Sequence, residues 1–70
     1  MNKIQLIYDF ETKTFFFGTQ ENGFGIFQDE RDNLWYANII TPINGIMIDK
    51  RKDFNEIVKE AYDTYLKLQE

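Results

Sequence analysis

The sequence contains no cysteine and no histidine, and one proline among its 70 residues. Without cysteine there is neither a disulfide nor a thiolate ligand for a metal ion, so a hydrophobic core has to hold the fold together. Without histidine, the commonest metal ligand and the commonest general base near neutral pH are both missing. We therefore predict one small domain over residues 1–70, with no metal site and no cofactor.

Basic residues are also scarce, because 8 Lys and Arg stand against 12 Asp and Glu and the net charge is −4. An acidic surface repels phosphate backbones, so direct binding of nucleic acid is not expected. No apolar run reaches the ~18 residues that a membrane span needs. The N-terminus also lacks the apolar segment of a signal peptide. These patterns predict a cytoplasmic protein without a membrane partner.

Aromatic residues, in contrast, are abundant, and five phenylalanines fall within residues 13–27. Apolar and polar residues alternate through several short segments, which is the pattern of β-strands with one buried face. Turn-forming residues such as Asp, Asn and Gly separate these segments. We predict strands at residues 3–10, 14–18, 24–28, 34–40 and 46–49.

The last part of the chain has the pattern of an amphipathic helix. Asp53 is a favourable N-cap, and Glu56 three residues later completes a capping box. Apolar residues then recur with the helical period: Phe54, Ile57, Val58, Ala61, Tyr62, Tyr65, Leu66 and Leu68. The predicted fold is α+β, a four- to five-stranded antiparallel sheet with one C-terminal helix on one face. Tyr62, Tyr65 and Leu66 are expected to pack against the face of Ile4, Leu6 and Tyr8.

One helix covers one face of such a sheet, so the other face is left for solvent, a partner or a second copy. Phe15 and Phe17 point to one side of their strand and Phe16 to the other. We assign Phe15 and Phe17 to the core and Phe16 to the open face. Trp35 is expected to join Phe16 there, because its neighbour Tyr36 suits the helix-covered side of the strand. This aromatic pair is either a binding hot spot or part of a second small core beneath the polar loops.

Three carboxylates, those of Asp29, Glu30 and Asp32, lie in the predicted turn "DERDN". They lack the residue spacing of a calcium-binding loop. The turn is either an ordinary solvated hairpin connection or a partner-binding surface that imitates phosphates.

The cluster Lys50, Arg51 and Lys52 lies just before the helix, in a predicted turn. It is either a contact for an anion or an acidic surface, or a plain solvated turn. Asp9 and Glu11 would share a face if both lay on a strand, and they are the best carboxylate pair for an acid–base enzyme. Because histidine is absent, we expect no enzyme.

The sequence "GFGIFQDERDNLWYANIITPINGIMIDKRKDFNEIVKEAYDTYL", starting at Gly23, resembles the HicB-like antitoxin family. The order of strand, acidic turn, aromatic strand, bend, short strand and capped helix is similar over roughly residues 23–68. Residues 41–45, Thr-Pro-Ile-Asn-Gly, take the place of the family's Pro-Asp-Leu-Pro-Gly-like bend. The resemblance implies a partial ribonuclease-H-like fold and the non-catalytic sequestration of a toxin ribonuclease.

Taken together, these patterns favour a small acidic protein that binds and inhibits another macromolecule. The expected target is a nuclease or a host-defence protein, as for antitoxins or for the anti-defence and anti-CRISPR inhibitors of phages. The alternative is a structural module whose exposed sheet face pairs with itself as a homodimer.

Overall fold

The computed structural model describes residues 4–69, and of residues 49–52 the backbone alone. The chain forms a five-stranded antiparallel sheet followed by one helix, and each strand pairs with the strand before it. The predicted α+β fold is thereby confirmed. The elements are β1 (Ile7–Asp9), β2 (Thr14–Gly18), β3 (Gly23–Gln28), β4 (Trp35–Ile40), β5 (Gly45–Lys52) and α1 (Phe54–Gln69).

The four connections between strands share one hydrogen-bonding pattern. Each begins with an Asp or Thr whose side-chain oxygen accepts a backbone N–H group two or three residues further on: Asp9, Thr19, Asp29 and Thr41. Such bonds satisfy N–H groups that have no partner in the strand ladder. Each of these Asp or Thr turns connects two consecutive strands, and consecutive strands are neighbours in the sheet.

The helix begins where the sequence predicts. The carboxylate of Asp53 accepts the backbone N–H of Glu56 at 2.9 Å, which is the bond of an N-cap. α1 is the single helix of the described residues, and its 16 residues include too many charged side chains for it to cross a bilayer.

The core lies between α1 and one face of the sheet. Six apolar residues there are almost completely shielded from solvent: Phe24, Ile26, Ala37, Ile39, Ile57 and Ala61. The helix lies over β3, β4 and β5 and approaches β4 most closely. The aromatic rings of Phe15, Phe17, Trp35, Phe54, Tyr62 and Tyr65 surround this core.

Some predicted details are wrong. The first strand is shorter than residues 3–10, of which residue 3 lies outside the described residues, yet Ile4 and Leu6 still pack on the core. Leu66 is 44% exposed, because it lies on the side of α1 that faces away from the sheet. Tyr62 and Tyr65 pack on the sheet face that Tyr8 shares with its partner Phe15, as predicted, and their rings contact Phe17 on β2.

Candidate functional site: the open face of the sheet

The sheet face opposite α1, which we call the open face, carries a row of residues that crosses all five strands. The row consists of directly paired positions: Ile7, Phe16, Gly25, Asn38 and Met47. Paired residues of antiparallel strands project to the same side of the sheet, so the row forms one continuous surface. Ile7 is 69% exposed and Met47 is 56% exposed. The prediction that Phe16 lies opposite Phe15 and Phe17 is confirmed.

A second pair of aromatic rings lies beside this row. Phe27 on β3 and Tyr36 on β4 face each other across the strands and stack with their ring centres 5.4 Å apart. Ile40 lies on the other side of Asn38 along β4 and is partly exposed. None of these open-face residues carries a charge, although 29% of the chain is charged.

A depression of about 100 Å³ opens on this surface above Gly25. Phe16, Phe27, Asn38 and Ile40 form its walls, and the β2–β3 connection closes one end with Thr19 and Gln20. A Cβ atom at Gly25 would lie 3.1 Å from the Phe27 ring and 3.6 Å from the Phe16 ring. The missing side chain of Gly25 therefore lets the Phe27 ring lie close against β3, and this ring forms one wall of the depression.

The sequence alone identified only a small part of this surface. It placed Phe16 on the open face, but not Ile7, Asn38 or Met47. The signal was present in the regular alternation of β3 and β4, which places Gly25 and Asn38 on the same side as Phe16. Strand pairing, which a single sequence does not state, was needed to join them.

Trp35 does not belong to the open face, and the prediction that it pairs with Phe16 there is wrong. Its ring lies 4.9 Å from that of Phe54 on α1 and 6.0 Å from that of Phe15, measured between ring centres. The expectation that Tyr36 suits the helix side is wrong for the same reason. Ala37, which shares a face with Trp35, is small enough for α1 to pass close to β4.

The acidic turn between β3 and β4 is held together by its own charges. Arg31 donates to both carboxylate oxygens of Asp29, at 3.2 and 3.0 Å, and this contact raises the pKa of the Arg31 guanidinium. Asp32 accepts the backbone N–H of Leu34 at 2.9 Å. Glu30 is exposed at the tip. Two of the three predicted partner-binding carboxylates thus have structural roles within the turn.

Lys50, Arg51 and Lys52 lie in β5, where the sequence predicts a turn, because that strand continues to the residue before the helix cap. Their side chains lie outside the described part of the molecule. Contact of this cluster with an anion or an acidic surface stays a prediction.

Asp9 and Glu11 do not form the carboxylate pair that a continuous strand would give. β1 ends at Asp9, and its carboxylate accepts the backbone N–H of Glu11 at 2.9 Å. Among the described side chains, those of residues 4–48 and 53–69, His, Cys, Asp and Glu nowhere gather in a group of three that would hold a metal ion.

No protein-family model, no curated protein and no solved structure matches this chain.

Proposed function

We propose that this chain is a small non-catalytic protein that binds another protein through its open face and thereby inhibits it. The observation that carries the proposal is the uncharged row from Ile7 to Met47. An antiparallel sheet face that meets only water carries mainly polar residues. Here Asn38 is the one polar member of the row and Asp9 lies at its edge on β1, whereas Ile7, Phe16 and Met47 are apolar, as at the centre of a protein–protein interface.

The charge of the chain supports a particular class of target. A net charge of −4 favours approach to a basic surface and disfavours an acidic one. Proteins that act on nucleic acids carry such basic surfaces. We therefore propose a cytoplasmic nuclease or defence protein as the target, which agrees with the resemblance to HicB-like antitoxins and with an origin in a phage.

The alternative is pairing of two copies through the same face. One observation favours it: because the row holds no charged side chain, two acidic copies would bring no like charges together in the contact. Sedimentation of the purified protein distinguishes self-association from binding to another protein.

The test compares two double variants that remove similar amounts of exposed apolar surface. Ile7→Ser with Met47→Ser changes the open face. The control, Ile43→Ser with Leu66→Ser, changes residues that are 88% and 44% exposed and lie in the β4–β5 turn and on α1. Each protein is used to capture partners from a lysate of its native host, and the captured protein is identified by mass spectrometry, purified and assayed for nuclease activity.

We expect the wild type and the control variant to capture the same protein from the lysate and to inhibit it. The open-face variant should neither capture nor inhibit that protein. Equal capture by both variants would place the binding surface elsewhere. Loss of a sedimenting dimer in the open-face variant, with no captured protein, would establish the homodimer instead.

A further inference from the structure

We infer that the depression above Gly25 is a binding site for one aliphatic side chain of Val, Leu or Ile size, presented on a peptide segment of the partner. Asn38 would bond to the peptide group beside that side chain. The inference rests on the proposed function in taking the open face as the binding surface, and it adds the chemistry of the group that is recognised.

The size of the depression selects among apolar side chains. Its volume is about 100 Å³. An apolar cavity of about 150 Å³ accommodates a benzene ring, so a branched aliphatic group fills this open space, whereas a phenyl group would project from it into solvent. Filling such a concave apolar site while water leaves it is the main source of affinity at small binding sites.

The absence of charge in the walls also favours an uncharged side chain as the occupant. Phe16, Phe27 and Ile40 are apolar, and Asn38 is neutral. A lysine, arginine or carboxylate group placed here would lose water without gaining a charged partner, which costs far more than burying an uncharged group. The uncharged lining is therefore complementary to an uncharged occupant.

Asn38 supplies a polar group in the middle of this apolar surface. It lies between Gly25 and Met47 in the central row, and its side-chain amide makes no hydrogen bond within the described residues. An Asn side chain has both an acceptor oxygen and an N–H₂ donor. A peptide unit offers the matching N–H and C=O, so Asn38 is suited to pair with the main chain of the partner.

Gly25 differs from a glycine that the backbone requires. At Gly23 a Cβ atom would clash with the carbonyl oxygen of Phe17, so that position has to be glycine for the strand to form. At Gly25 the nearest atoms belong to the side chains of Phe27 and Phe16, which can move. The close approach of the Phe27 ring accounts for this glycine, and the position of that ring shapes the depression.

The test is an NMR titration of the ¹⁵N-labelled full chain with N-acetyl-leucine N-methylamide, which has an aliphatic side chain between two peptide groups. At the modest ligand efficiency of drug-sized compounds, a ligand of this size has a Kd of about 1 mM. We expect saturable shifts of the amide signals of Gly23, Gly25, Asn38 and Ile40. The lysine analogue of the ligand should bind about tenfold more weakly or not at all, because its charge would be buried.

Two variants examine the site itself. Asn38→Asp should weaken binding about tenfold, because it removes the N–H₂ donor and adds a charge. The control, Asn55→Asp, makes the same change on the exposed side of α1 and should not affect binding. Gly25→Ala puts a Cβ atom against the Phe27 ring, so this wall of the depression must shift and binding should weaken. Its melting curve shows whether the variant is folded. If Gly25→Ala does not fold, the two Asp variants still decide the question.

Absence of shifts at about 100 mM ligand, which exceeds the affinity range of such compounds, would overturn the inference. Equal binding of the leucine and lysine compounds would do the same, and so would binding that Asn38→Asp leaves unchanged. The titration needs no partner protein. It can therefore fail while the open face still binds a partner, and it can succeed when lysate capture shows no dependence on the open face.

Discussion

Alanine in place of Phe17 should strongly destabilise the protein, whereas alanine in place of its neighbour Phe16 should leave the stability of the fold nearly unchanged. The ring of Phe17 lies 5.0 Å from that of Phe24, 5.4 Å from that of Tyr62 and 5.5 Å from that of Tyr65, between ring centres. Removing it detaches the second half of α1 from the sheet. Phe16 has Ile7 and Gly25 as its cross-strand partners on the open face.

The magnitudes separate the two variants clearly. A buried Phe→Ala change costs about 3–5 kcal/mol, and we take about 3 for Phe17 because its ring is only partly buried. A domain of this length has a free energy of unfolding of roughly 4–10 kcal/mol. Phe17→Ala should therefore lower the melting temperature by about 12–24 °C, and Phe16→Ala, at about 1 kcal/mol or less, by no more than about 8 °C.

Trp35 provides the assay, because its contact with Phe54 makes its fluorescence sensitive to the docking of α1. Urea titrations followed by Trp35 emission and by far-UV circular dichroism should give coincident transitions for both variants, with equal m-values. A cost for Phe16→Ala equal to that for Phe17→Ala would refute the assignment of the two faces. So would a Phe17→Ala protein as stable as wild type.

Three further substitutions test local features. Asp53→Ala removes the helix cap and should cost about 0.5–2 kcal/mol in thermal melts, and an unchanged melting temperature would mean that the cap contributes nothing. Thr41→Val leaves the N–H of Asn44 without its 2.9 Å bond to a buried hydroxyl, so urea titration should show a loss of about 1–3 kcal/mol. Gly45→Ala adds a Cβ atom 3.9 Å from the Ile39 carbonyl oxygen, an ordinary contact, and should raise stability by about 0.4–1 kcal/mol; a loss would show hidden strain.

The elements of this fold could be predicted because their signals are local. The helix start depends on one bond from Asp53 to Glu56, and each turn depends on one Asp or Thr. Alternation of apolar residues then identifies the strands between these points. The same reasoning placed Phe15 and Phe17 beneath the helix, since two large rings bury more surface than one.

The face of β4 was predicted wrongly because Tyr36 was assigned to the helix-covered side, which turned Trp35 to the open face. The side that holds Trp35 also holds Ala37, and it is Ala37 that lies where α1 crosses the sheet. Ala61 on the helix is equally buried at this crossing. The better signal was Asn38, a polar residue whose side chain is disfavoured under a helix and which therefore turns Ala37 and Ile39 inward.

The acidic turn and the open face differ in whether they must give up internal hydrogen bonds in order to contact a partner. Asp29 already pairs with Arg31, and Asp32 accepts a backbone N–H, so imitation of phosphates by this turn would break bonds that hold it. The open face needs no such rearrangement, because its apolar side chains are already exposed to solvent. In the proposed complex, long-range attraction by the net negative charge would set the rate of approach, which salt screens, and the desolvated contact around Phe16 would set the lifetime of the complex. Affinity should accordingly depend more on the shape of the open face than on the number of carboxylates around it.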